Sequence, residues 1–185
     1  MTKLRTVVVA GSPVHFLDEG DGPTVLLLHG SGPGTTGSGA WAATAEALGR
    51  SWHFVAPDQA GFGRTPLPLA TRGGLQHWTE SAADLMDALG VESYAVVGHS
   101  MGGAVGLALA ASRPRQVTRV VASRRWAPPG HRRRPSWTPP RTAALPLLEH
   151  LADVRLHVLG RCGHVPAVEH PHDFRRLLAG FLPHG

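Results

Sequence analysis

The chain has 185 residues, which suits one domain with a sizeable core and excludes two full ones. A hydrophobic fraction of 42% and a charged fraction of 17% describe a globular protein, and 23 glycines with 16 prolines imply many turns. The net charge of +5 is local: Arg124, Arg125, Arg132, Arg133, Arg134 and Arg141 share one stretch, and without them the chain is close to neutral, which disfavours nucleic acid as a partner.

A single cysteine excludes an internal disulfide framework. The apolar run from Val7 to Ala10 is too short for a signal peptide or a membrane span, so a cytoplasmic protein with no membrane partner is expected. Val7 to Val9 and Val14 to Leu17 read as two strands of a hairpin turning at Gly11-Ser12-Pro13. Thr24 to Leu28 is a continuous apolar run between turn signals, the pattern of a strand buried on both faces of a parallel sheet.

His29-Gly30-Ser31-Gly32-Pro33-Gly34 follows at the carboxyl end of that strand. The run lacks the Gly-Lys-Ser/Thr of a phosphate loop and the spacing of a dinucleotide fingerprint. Backbone N–H groups facing a developing oxyanion are the favoured reading. Ala40 to Leu48 is a short helix with Trp41, Ala45 and Leu48 on one face. Trp52 to Ala56 is a strand, and Pro57-Asp58-Gln59-Ala60-Gly61-Phe62-Gly63-Arg64 is a second loop at the same sheet edge. Leu75 to Leu89 is the longest helix, stopped by Gly90.

The next segment is the most demanding. Tyr94 to Val97 reads as a strand, Gly98-His99-Ser100-Met101-Gly102 as a tight turn, and Ala104 to Ala111 as a helix. G-x-S-x-G between a strand and a helix raises a serine on a strained turn, with small residues on either side where the chain passes close to itself. Val117 to Ala122 is a further strand. The residues 123–141 then carry five prolines and clustered arginines without either period, so an irregular segment is expected within a single domain spanning 1–185. A helix from about Thr142 to Leu151, a strand Arg155 to Leu159, and a last helix Asp173 to Leu182 complete the pattern.

A serine needs a base to take its proton, and the base needs an orienting acid. His164 stands after the last strand, between Gly163 and Pro166, at the edge where Ser100 and Ser31 are expected, and is the candidate base. Cys162 reads as a small buried residue, and His164, His170 and His172 lack the ligand spacing of a metal site.

The loop at 29–34, the segment 57–63, and Gly160-Arg161-Cys162-Gly163-His164 with Glu169-His170-Pro171 resemble the α/β-hydrolases. Within them, the chain is most similar to the carbon–carbon bond hydrolases of meta-cleavage products in aromatic and steroid degradation. The resemblance implies a mostly parallel sheet flanked by helices, a Ser-His-Asp triad, no cofactor, and small-molecule substrates of the 2-hydroxy-6-oxohexa-2,4-dienoate type. It implies catalysis by Ser100 and His164, an oxyanion hole from the N–H groups of Ser31 and Met101, and a substrate site lined by Gly30, Gly32 and Trp41. A homo-oligomer is compatible with it.

Family members are longer, with a helical cap after the strand matching Val117 to Ala122 and a further strand that delivers the aspartate. Here the Arg/Pro stretch occupies that place, which implies an incomplete sheet without a cap. Between Ser100 and His164 the only carboxylates are Glu149, within a helical pattern, and Asp153, before a strand. Two alternatives follow: an open-site carboxylesterase, and a non-catalytic module whose arginines bind an acidic surface.

Overall fold

The computed structural model describes residues 3–68, 73–123, Leu159 and 162–183. Among these lie six strands: β1 (Lys3–Val9), β2 (Ser12–Glu19), β3 (Thr24–Leu28), β4 (His53–Pro57), β5 (Tyr94–His99) and β6 (Val117–Ser123). Five helices accompany them: α1 (Gly37–Leu48), α2 (Leu75–Ala88), α3 (Met101–Ser112), α4 (Pro166–Glu169) and α5 (Pro171–Phe181). The expected helix Thr142 to Leu151, most of the strand Arg155 to Leu159, and all but Ser123 of the Arg/Pro stretch lie outside the described residues.

The strands form one sheet in the order β1-β2-β4-β3-β5-β6. β1, β2 and β4 pair antiparallel in turn, whereas β4, β3, β5 and β6 run parallel. A parallel sheet needs cover on both faces, and β3 shows how the sequence meets that need. Val25 and Leu27 point into one core with Trp41, Phe174 and Leu178 of α1 and α5. Leu26 and Leu28 point into the other with Leu85, Met86, Val105 and Leu109 of α2 and α3. β5 alternates in the same way, with Ala95 and Val97 on the first side and Tyr94 and Val96 on the second.

Local differences from the sequence reading have local causes. The hairpin turns at Ala10-Gly11, both at positive φ (46° and 80°), and Ser12 and Pro13 belong to β2. Two left-handed residues make the tight turn that matches the twist of paired strands, and a non-glycine at the first gave no signal. α1 starts at Gly37 because the Thr36 side chain accepts from Gly39 N–H and caps it. β6 runs on into Ser123, one residue past the expected break.

The last helix is tied to the body from both sides. Trp52 Nε1 donates to Pro183 O at 2.6 Å, and Arg175 Nη2 donates to Ala43 O at 2.9 Å. The Arg119 guanidinium donates to Phe181 O and lies over the Phe181 ring. These anchors fix the segment that carries His164 relative to the sheet.

The two-faced core predicts an asymmetric cost of truncation. Leu27→Ala, at a fully buried position, should lower unfolding free energy by about 2–5 kcal/mol in urea titrations. Leu4→Ala, at a side chain 55% exposed on the edge strand, should stay within about 0.5 kcal/mol of the parent.

Candidate active site

β5 ends at His99, α3 begins at Met101, and Ser100 alone makes the connection with φ 53° and ψ −111°. A serine rarely occupies that left-handed region, which costs on the order of 1–3 kcal/mol unless its surroundings enforce it. They do so here. Ser100 N–H donates to Ser123 O at 2.8 Å, and Ser100 O accepts from Gly103 N–H at 3.1 Å and Ala104 N–H at 3.3 Å. The glycines of the motif supply the space: a Cβ on Gly98 would strike the Gly102 carbonyl, and one on Gly102 would strike the Leu28 carbonyl. The first turn of α3 therefore sits directly on the end of β3.

That contact brings the loop after β3 against the serine. A Cβ on Gly30 would lie 3.2 Å from Ser100 Cβ and 2.9 Å from His99 Cδ2, so only glycine lets the two segments approach. Met101, first residue of α3, has an N–H without an intrahelical acceptor. Ser31 and Gly32 continue the loop into a cleft of about 490 Å³, lined also by Pro33, Gly34, Gly61, Phe62 and Gly63. Ser100 and His164 are not in its lining; the cleft lies between the loops after β3 and β4.

The loop is held from beneath by a buried polar network. The His29 ring is fully buried, with Nδ1 2.8 Å from Gly30 O, and Nε2 accepts from Gln59 N–H at 3.0 Å. Those contacts require the neutral tautomer with its proton on Nδ1. Gln59 Nε2 returns a bond to His29 O at 2.6 Å. Asp58 accepts from Gly37 N–H at 2.8 Å and from Arg64 N–H at 3.0 Å, joining the second loop to the start of α1. No role was assigned to His29, Asp58 or Gln59 from sequence; their signal was the pair of loops ending neighbouring strands.

His164 lies in the exposed loop before α4, and its ring meets the half-buried ring of His99 edge-to-face, with centroids 4.7 Å apart. His99 Nδ1 is 3.2 Å from Ser123 Oγ, within hydrogen-bond reach. Burial, reinforced by His164, pushes the His99 imidazole below the ordinary histidine range. Among the described residues no hydrogen bond joins Ser100 to His164. The candidate base thus stands over the serine's neighbour, and His99 is a site residue that sequence reasoning passed over. Cys162 is half-buried, and burial together with Glu169 pushes its thiol up, away from the reactive thiolate.

Trp41 requires a correction. It was expected to line the substrate site, but it is 1% exposed and stacks on Phe174 in the core between α1 and the sheet. Its size and helical spacing serve packing. Glu149 and Asp153, the candidate acids, lie outside the described residues.

Residues 23–134 match the model of the alpha/beta hydrolase fold. The chain belongs to the α/β-hydrolase family. It is 38% identical over 117 residues to a 2-hydroxy-6-oxo-2,4-heptadienoate hydrolase of Pseudomonas putida, a match covering 63% of this chain and 42% of that protein. Among solved structures it is similar to a meta-cleavage product hydrolase from Pseudomonas fluorescens IP01, with 33% identity and a TM-score of 0.62 over 66% of this chain and 46% of that one. A 2-hydroxy-6-oxo-6-phenylhexa-2,4-dienoate hydrolase from Rhodococcus sp. strain RHA1 gives 32% identity and a TM-score of 0.61, with the same coverages. The matches take in less than half of each relative's length. For this α/β-hydrolase, the mostly parallel, helix-flanked sheet expected from sequence is the one found.

The network under the loop predicts a pH dependence. Burial holds the His29 imidazole below its ordinary range, against smaller opposing pulls from the Gly30 carbonyl and the Asp58 carboxylate. The unfolded chain therefore takes up this proton at a higher pH than the folded one, so stability should fall as pH drops through about 6.5. His99 acts in the same direction. In denaturant titrations between about pH 7.5 and pH 5.5, His29→Gln should be less stable at neutral pH and show a shallower loss on acidification.

Proposed function

We propose that this α/β-hydrolase is a serine hydrolase of 2-hydroxy-6-oxohexa-2,4-dienoate-type meta-cleavage products. The observation that carries the reading is the strained Ser100 turn with the Gly30 loop packed against it. Ser100 is the nucleophile and His164 the base, the N–H groups of Ser31 and Met101 hold the oxyanion, and Gly30 and Gly32 border the bound substrate. The reaction needs no cofactor.

The chemistry follows from those roles. The dienol is first converted to its keto form, which makes the C6 carbonyl an acceptor. Ser100 Oγ adds to C6 as His164 takes its proton, and the negative charge that develops on the carbonyl oxygen is met by the two amides. Cleavage of C5–C6 sends the bonding pair to C5, which takes up a proton. C6 is left as an ester on Ser100; water, its proton taken by His164, adds to that ester, and the carboxylate leaves as the proton returns to Ser100 Oγ. The similarity to dienoate hydrolases supports this substrate class.

A second reading, an open-site carboxylesterase, is favoured by the exposure of His164. Both readings place a small molecule at the site of one domain over 1–185 with an irregular segment at 123–141. Both are compatible with a cytoplasmic location and a homo-oligomer. Among the described residues, no helix is long and apolar enough to cross a membrane.

Turnover separates the readings. Ser100→Ala should abolish loss of the dienolate absorbance, and if Glu149 or Asp153 serves as the triad acid, its amide variant should lower turnover roughly 10⁴-fold. Turnover of a short-chain aryl ester but not of the dienoate assigns the esterase. Turnover that survives Ser100→Ala contradicts both readings.

A further inference from the structure

We propose that Glu169 positions His164, by gathering the backbone amides on both sides of it onto one carboxylate. The inference rests on the reading of His164 as the base, but its evidence lies in the loop itself. Glu169 Oε2 accepts from Gly163 N–H, and Oε1 accepts from Val165 N–H at 2.8 Å. Two amides converging on one anion from either side of His164 fix the backbone path without using a side chain of that path. Together they hold the Glu169 carboxyl below its ordinary range, with the Val165 amide the largest contributor.

The rest of the segment is built around this contact. A Cβ at Gly163 would sit 2.7 Å from Glu169 Oε1, so a side chain there would displace this carboxylate. Val168 N–H and Glu169 N–H both donate to Val165 O, at 3.0 Å and 2.9 Å, so the main chain closes the same ring that the side chain closes. Pro166 opens α4 and Pro171 opens α5, where each preset φ suits a first helical turn. Beyond them Phe174 and Leu178 are buried in the core. The loop is therefore anchored at its carboxyl end, and Glu169 carries that anchorage back across His164.

The same geometry separates this role from that of a triad acid. Both carboxylate oxygens are taken by main-chain amides, and neither bonds the His164 ring. Glu169 sets where the imidazole stands, edge-on to His99. It is a positioning residue.

The test uses the full chain and needs no turnover, so an inactive protein leaves it decisive. Single-amide hydrogen exchange should find Gly163 and Val165 slowed roughly tenfold or more relative to an unstructured peptide. Nuclear Overhauser contacts should join the His99 and His164 rings. In Glu169→Ala the protection and the ring contacts should both vanish while the amides of β3 and β5 keep their protection. Glu169→Gln, which retains one acceptor oxygen, should restore the ring contacts in part. Unprotected amides at Gly163 and Val165 in the parent overturn the proposal, as do ring contacts that persist in a folded Glu169→Ala. Should that variant unfold, Glu169→Gln decides: full loss of the ring contacts in a folded protein overturns the partial rescue claimed here.

Discussion

Ser100 is held at φ 53° and ψ −111°, and the remaining features of the site are arranged so that this conformation is the lowest available. Its amide is tied to the end of β6, its carbonyl to the second turn-forming amides of α3, and its flanking glycines let three segments meet with no side chain between them. Without the close seating of Gly102 on Leu28, α3 would stand off from β3 and the Gly30 loop would not reach the serine. Backbone strain of this kind persists only where its surroundings over-determine it. Here two strands, one helix and one loop do so.

The parallel part of the sheet delivers the loops after β3, β4 and β5 to one edge, the usual place for a site in this class of fold. Two different devices hold what is delivered. The loops after β3 and β4 are locked from below by buried side chains, with His29 kept neutral because both ring nitrogens are committed. The His164 loop is exposed and is closed on itself by Glu169, with its far end fastened to the core through α5. The Gly30 side of the site is thus part of the fold, whereas the His164 side is a separately anchored strap. These two halves should respond differently to perturbation. Acid attacks the first through His29, and loss of one carboxylate attacks the second.

Much of this was legible in the residues themselves. The run Thr24 to Leu28 read as a strand buried on both faces and is one, with the same ends. The G-x-S-x-G turn was legible because its glycines are required by sterics, and sterics act between residues close in sequence. What escaped notice depends on contacts distant in sequence. The family resemblance placed Trp41 at the substrate, whereas Phe174, arriving from a distant part of the sequence, stacks on it in the core. His99 sat inside the motif, yet its meeting with His164 is a tertiary fact. The bonds of Asp58 and Gln59 run to Gly37 and His29, which no local pattern links to them. At the hairpin, Ala10 adopts a positive φ where glycine would have announced the turn.

Covalent labelling tests most directly the proposed roles of Ser100 as a nucleophile raised by the fold and of His164 as its base. After exposure of the full chain to a fluorophosphonate, peptide mapping by mass spectrometry should find the adduct on Ser100 and on no other serine, and His164→Ala should slow its formation sharply while the protein stays folded. A folded chain that leaves Ser100 unlabelled, or one labelled at the same rate without His164, would contradict those roles.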